Sequence, residues 1–141
     1  DNIKLILYNN ILEEKSINGS FATYYTLSCL GIKWKKNNEI KITALINPKI
    51  TKFSEETDNQ WEGCLSIPGM LGLVKRYSSI SFEGFDMSGN KIQQKAEGLL
   101  ARVVQHECDH LNGIVFTHRL VDKKAYGYEN EIEEYWKKKH E

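Results

Sequence analysis

The sequence predicts an α+β domain in which a mixed or antiparallel sheet wraps one central helix. Three observations carry that expectation. Short runs rich in Ile, Leu, Val, Thr and aromatic residues recur between turn residues, the pattern of strands. One segment, residues 98–111, keeps a helical period and is followed by a glycine. The 141 residues, 40% hydrophobic and 27% charged, suffice to bury a core without disulfide staples.

Taken in order, residues 3–8 (IKLILY) read as an opening strand. Residues 20–30 mix Thr, Tyr, Leu and Cys without a clean period and stay ambiguous. Residues 40–46 alternate into an extended run that Asn47-Pro48 closes. Strand-like pieces follow at 71–76, 80–85 and 91–96, the last two joined by the turn-rich Asp86-Met87-Ser88-Gly89-Asn90. Residues 98–111 form the helix, with Gly113 placed for a left-handed cap. A terminal amphipathic helix is expected over about 124–139: Tyr128, Ile132, Tyr135 and Trp136 share a face, and Glu133/Lys137 and Glu134/Lys138 pair outside it. With no internal repeat or linker, residues 1–141 are expected to make a single domain.

Nineteen basic and nineteen acidic side chains balance, which gives no case for DNA or an anionic membrane as a partner. No apolar run is long enough to span a bilayer, and no signal peptide is read. The first residue is Asp1 rather than methionine, as in a processed or trimmed start. Three cysteines, Cys29, Cys64 and Cys108, are an odd number and argue against a disulfide framework. A reducing compartment is expected, cytoplasm first and an organelle matrix second.

The chemistry concentrates in Gln105-His106-Glu107-Cys108-Asp109-His110-Leu111, an H-E-x-x-H motif on a helix. Two histidines four apart can grip one metal ion, and the neighbouring glutamate can move a proton. At 100° per residue Leu99, Val103, His106 and His110 fall within an arc of about 60°, with Glu107 about 60° beyond His110. The plain alternative is a pair of buried, hydrogen-bonded histidines. Against it, a glutamate on an apolar helix costs free energy unless something uses its charge.

Three readings compete for the third ligand. A metzincin would need a histidine where Phe116 stands, and His118 comes two residues too late. A gluzincin-like metallopeptidase would use Glu129, Glu131 or Glu133, residues of a charged face that solvation already explains. The third is Cys64, in a compact Gly-Cys-Leu-Ser-Ile-Pro-Gly turn where Gly63 permits unusual backbone angles. A free cysteine is otherwise often a small buried hydrophobe.

The E-G-C-L-S of residues 62–66 and the Q-H-E-C-D-H-L of residues 105–111 resemble the two corresponding motifs of the peptide deformylase family. Around them L-I-N-P (45–48), S-I-P-G (66–69), G-L-L-A-R (98–102) and L-N-G (111–113) are similar to family sequence, so the resemblance spans roughly residues 40–120. It implies a deformylase-like fold and a metal-dependent hydrolase that removes the N-formyl group from the formylmethionine of nascent polypeptides, releasing formate. It implies one divalent metal, Fe(II) first and Zn(II) or another ion otherwise, held by Cys64, His106 and His110. Glu107 would serve as acid and base, and the Leu65 N–H would help hold the oxyanion. Leu99 and Val103 would floor a pocket for the methionine side chain, and Glu62 and Gly63 would brace the ligand loop or contact the peptide. Arg76 and Arg102 are candidates to pair with Glu62, and Gln105 and Asp109 to support the ligands.

One stretch departs from the family. Where a G-x-G-x-A-A-x-Q motif is expected, residues 22–29 read A-T-Y-Y-T-L-S-C, with Cys29 in the glutamine's place and Ser28 the nearest substitute donor. The N-terminal region is also shorter than usual, lacking most of a family helix. Losing one oxyanion donor costs about 2.7–4 kcal/mol in the barrier, so a weakened or inactive deformylase-like metal- or peptide-binding domain is the alternative. The basic clusters Lys33-Trp34-Lys35-Lys36 and Lys137-Lys138-Lys139 would suit contact with the ribosome, although a solvated hairpin and a helix end explain them without a partner.

Overall fold

In the computed structural model, residues 4–12, 26–36, 39–132 and 134 are described, with side chains from Leu45 onward. Three strands open the chain: β1 (Lys4–Leu12), β2 (Thr26–Lys36) and β3 (Glu39–Phe53). They pair antiparallel, Leu7 facing Leu30 and Cys29 facing Ile46, and the β2–β3 hairpin closes with Lys36 opposite Glu39. Then come β4 (Thr57–Cys64), β5 (Ile67–Tyr77), β6 (Ser79–Phe85) and β7 (Lys91–Glu97). Helix α1 (Gly98–Leu111), a 3-10 helix (Phe116–Arg119) and β8 (Tyr126–Tyr128) follow. The strands form two sheets, a five-stranded one in the order β1-β2-β3-β6-β7 and a three-stranded one in the order β4-β5-β8. The expected α+β class is what the chain adopts.

Three local expectations change. Asn47-Pro48 does not close β3, which runs on to Phe53. Asn47 takes the irregularity in a left-handed conformation (φ 49°) that asparagine tolerates, and the fixed φ of Pro48 suits the strand that resumes. β4 was hidden because Thr-Asp-Asn-Gln has little strand preference; its ladder with β5, Asp58 opposite Arg76 and Glu62 opposite Gly72, decides it. Residues 126–128 are a strand rather than the start of a helix, because the edge of β5 offers unpaired backbone groups and Tyr-Gly-Tyr is a poor helix former. Residues 129–132 and 134 are helical, and most of the remaining expected helix lies outside the described residues, as do residues 20–25 of the ambiguous stretch.

Packing divides the chain into two compact units, Asp1–Thr51 with Ser81–Gln94, and Lys52–Ile80 with Lys95–Glu141. In the first, Leu45 and Phe82 are buried, and Asp86 organises the β6–β7 turn by accepting from the backbone of Ser88 and Asn90. In the second, Val74, Ile80, Ala96, Ala101, Val104 and Phe116 make the core. β5 alternates, turning Gly72, Val74 and Arg76 inward, as a strand with one covered face must. Among the described residues no helix is long and apolar enough to cross a membrane.

Gly72 lets the 3-10 helix approach β5. A Cβ there would run into Leu120 Cδ2 and come within 2.9 Å of Cε2 of the buried Phe116 ring. Gly72→Ala is therefore expected to destabilise the protein by about 1–3 kcal/mol. A urea midpoint equal to that of the parent protein would show that the ring simply moves aside.

Candidate metal centre

Two elements of the second unit supply the site. β4 ends at Cys64 and pairs with β5 through a two-residue turn, Cys64 opposite Ile67, with a register shift between Gly63 and Cys64. α1 lies against β5 and carries the two histidines. Its end is capped as expected: Gly113 has φ 71°, and its N–H donates to the His110 carbonyl at 3.0 Å.

Cys64 Sγ, a nitrogen of His106 and a nitrogen of His110 all lie within 4.8 Å of one another. His110 Nε2 is 3.2 Å from Cys64 Sγ and 3.1 Å from His106 Nε2. Tetrahedral zinc-like coordination separates two nitrogens by roughly 3.3 Å and sulfur from nitrogen by roughly 3.6 Å. These two pairs thus stand slightly closer than a bound ion would set them, and one thiolate with two imidazoles is a donor set that zinc or iron accepts. The residues fit a divalent metal.

Of the rival third ligands, Glu129 and Glu131 are exposed and stand outside this cluster, while Glu133 lies outside the described residues. Cys108 is kept a thiol: burial, helped by the charges of Asp109 and Glu107, pushes it up to about 11.

His106 is fixed from behind. Its Nδ1 sits 3.0 Å from Glu62 Oε2, so Nδ1–H donates to the carboxylate and Nε2 keeps its lone pair for the cluster. Glu62, on β4, is itself buried and fully engaged. Arg76 Nε and Nη2 donate to its two oxygens at 3.0 Å each, and Arg102 Nη1 donates to Oε1 at 2.7 Å. Burial alone would raise this carboxyl. The hydrogen bonds from His106 and Arg76, the Arg76 charge and the Arg102 hydrogen bond outweigh it and bring the group down to about 2.

The network extends both ways. Arg102 Nη2 reaches Asp58 Oδ1 at 2.6 Å, and Arg76 Nη1 reaches Asp109 Oδ2 at 2.5 Å. Arg119 closes the far end, with Nη2 2.8 Å from Asp109 Oδ1 and Nε 3.1 Å from Oδ2. Three guanidinium groups therefore face three carboxylates, the balance that low-dielectric surroundings demand. Gln105 plays a different part, clipping α1 to the backbone of Tyr77 through Oε1 and Nε2 at 3.1 and 2.9 Å.

Glu107 differs from every other acid here. Its Oε2 is buried without a hydrogen-bond partner among the described residues. Burial raises its carboxyl above the ordinary range, and the positive field of His106 offsets this only in part. Such an oxygen has room in its chemistry to take up a proton.

The remaining expected residues are placed as follows. Leu65 occupies the Cys64–Ile67 turn with its side chain in solvent. Leu99 is half exposed and Val103 half buried on α1. Cys29 belongs to β2, in the first unit, and residues 22–25 of the altered motif lie outside the described residues. Motif reasoning missed Asp58 and Arg119 altogether. A partial signal existed: Arg102, Gln105 and Asp109 fall within an arc of about 60° on α1, a polar stripe beside His106. All three are buried.

Residues 24–126 match the family model described as polypeptide deformylase. The chain is 51% identical over 89 residues to peptide deformylase 1 of Nitrosomonas europaea, covering 63% of this chain and 51% of that protein. It is 42% identical over 100 residues to a peptide deformylase of Rhodopirellula baltica, covering 71% and 49%. It therefore spans about half the length of the curated relatives it matches. Among solved structures, a probable peptide deformylase from Synechococcus phage S-SSM7 superposes with a TM-score of 0.63 at 38% identity, over 66% of this chain and 64% of that one. The peptide deformylase of Synechococcus elongatus in complex with actinonin gives 0.62 at 35% identity, over 79% and 56%. With more than half of its length matched by the family model, the chain belongs to the polypeptide deformylase family.

Proposed function

We propose that this chain, as one metallohydrolase domain, removes the N-formyl group from the N-terminal formylmethionine of nascent polypeptides and releases formate. The observation that carries the reading is the convergence of Cys64 Sγ, His106 and His110 beside a buried Glu107 oxygen that has no hydrogen-bond partner among the described residues. Cys64, His106 and His110 would hold a divalent cation, Fe(II) first and Zn(II) or another ion otherwise, which would supply Lewis acidity when bound. Glu107 takes a proton from the attacking water and delivers it to the amine nitrogen as the carbon–nitrogen bond breaks. The Leu65 backbone N–H donates to the oxyanion.

Leu99 and Val103 line the methionine pocket, and Gly63 lets the peptide approach the end of β4. Glu62 serves by holding His106, since both of its oxygens are already used inside the protein. The substrate implies a place of action where translation starts on formylmethionine, a bacterial-type cytosol or an organelle matrix, with ribosome contact through the Lys33–Lys36 and Lys137–Lys139 clusters. A catalytically weakened form is the second reading, favoured by Cys29 in the glutamine's place.

The test joins metal analysis with formate release from a formyl-Met peptide. Protein loaded with Fe(II) or Zn(II) is expected to bind one ion and release formate, and Cys64→Ala to lose the ion. Metal retained by Cys64→Ala would point to a carboxylate ligand instead. Metal bound at one equivalent without any formate release would leave a binding domain.

A further inference from the structure

Arg119 stands outside both sequence motifs, in the 3-10 helix, with 46% of its side chain exposed. An ion pair at such a position ordinarily contributes little. Its partner is unusual. Asp109 immediately precedes His110, its side chain is only 12% exposed, and Arg76 and Arg119 share its two oxygens. Arg119 takes Oδ1 at 2.8 Å and part of Oδ2 at 3.1 Å, and Arg76 takes Oδ2 at 2.5 Å. Arg76 then grips both oxygens of Glu62, and Glu62 holds His106 Nδ1.

We propose that Arg119 is a positioning residue of the metal centre, acting through the continuous relay Arg119–Asp109–Arg76–Glu62–His106. The proposal rests on the metal-centre reading above. Arg119 is the only arginine among the described residues seen to reach Asp109 Oδ1. Without it, that oxygen competes for Arg76, and Arg76 cannot satisfy Asp109 twice while keeping its fork on Glu62. Glu62 then keeps Arg102 on Oε1, but Oε2, which Arg76 Nη2 had held, can swing, and it is the oxygen that orients the His106 ring. Asp109 also sits on the last turn of α1, so the same loosening reaches the backbone that carries His110.

A merely structural role, stapling the 3-10 helix to α1, would lower stability without touching the metal. Cobalt(II) separates the two. The full chain is loaded with Co(II), its visible absorption recorded, and transfer of the ion to a chelator timed, for the parent protein, Arg119→Ala, Arg119→Lys and Lys91→Ala. The last removes a surface ion pair (Lys91 to Glu83, 2.9 Å) that is not part of the relay. Arg119→Ala is expected to release cobalt about tenfold faster, with an altered ligand-field spectrum. Arg119→Lys falls between, since an ammonium cannot copy the two-point fork, and Lys91→Ala behaves like the parent. An Arg119→Ala protein with the parent's release rate and spectrum overturns the proposal, whatever happens to its thermal midpoint. Should Arg119→Ala not fold, a parent-like release rate in Arg119→Lys overturns it as well. A parent protein that takes up no cobalt fails the metal-centre reading itself, and this proposal with it.

Discussion

Glu107→Gln is expected to lower the rate of formate release from a formyl-Met peptide roughly 10²–10⁴-fold with the metal still bound, the range that one positioned acid–base group supplies. The reason lies in what surrounds the carboxylate. Oε2 is buried and has no hydrogen-bond partner among the described residues, where the other buried acids, Glu62 and Asp109, are tied down by arginine. Leaving one carboxylate oxygen unsatisfied costs about 1–3 kcal/mol or more, a cost that a proton-transfer role would explain and packing would not. Burial keeps the group's proton affinity above that of an ordinary carboxylate, so it can hold a proton long enough to pass it on. Glutamine has the same shape but cannot take up a proton from water. Rapid-quench or coupled assays of kcat, paired with metal analysis, check this. A variant that keeps its metal and turns over at the parent rate would remove Glu107 from the mechanism.

The second large effect concerns Glu62. Glu62→Ala leaves two buried guanidinium groups, Arg76 and Arg102, facing a hole where a carboxylate accepted three of their hydrogen bonds. Breaking a buried charge network from one side costs about 3–5 kcal/mol, more than the paired network itself contributes relative to an apolar core. Glu62→Gln, which keeps the shape and one acceptor oxygen, is expected to lose less. Urea unfolding of metal-free protein at neutral pH reads the difference, with equal m-values required for the comparison. The sign of the pH dependence follows from the depressed carboxyl. Its contribution is complete above the usual 4.5 and disappears as pH falls toward about 2. If Glu62→Ala unfolded at the parent midpoint, the ionic network would be irrelevant to folding, and the support assigned to His106 would weaken with it.

Much of the centre could be read directly from residue order. His106, Glu107 and His110 are neighbours on one helix, so their common face follows from 100° per residue, and α1 runs over the expected Gly98–Leu111. β6 and β7 likewise followed from alternation and a turn-rich connection. Where local preference and tertiary pairing disagreed, pairing prevailed. Thr57–Cys64 became a strand although Asp58, Asn59, Glu62 and Gly63 are poor strand formers, and Tyr126–Tyr128 left the helix to cap the edge of β5.

By itself the sequence determined which groups could meet: a thiol, two imidazoles and a carboxyl, spaced so that a helix and a tight turn could present them. The support beneath them was decided only by folding. Arg76, Arg102 and Arg119 come from a strand, a helix and a 3-10 turn, and they meet Glu62, Asp58 and Asp109 across separations of 10 to 44 residues. No local period encodes such meetings, because a buried charge is tolerated only where a partner from another element arrives, and that arrival is a property of the packed chain.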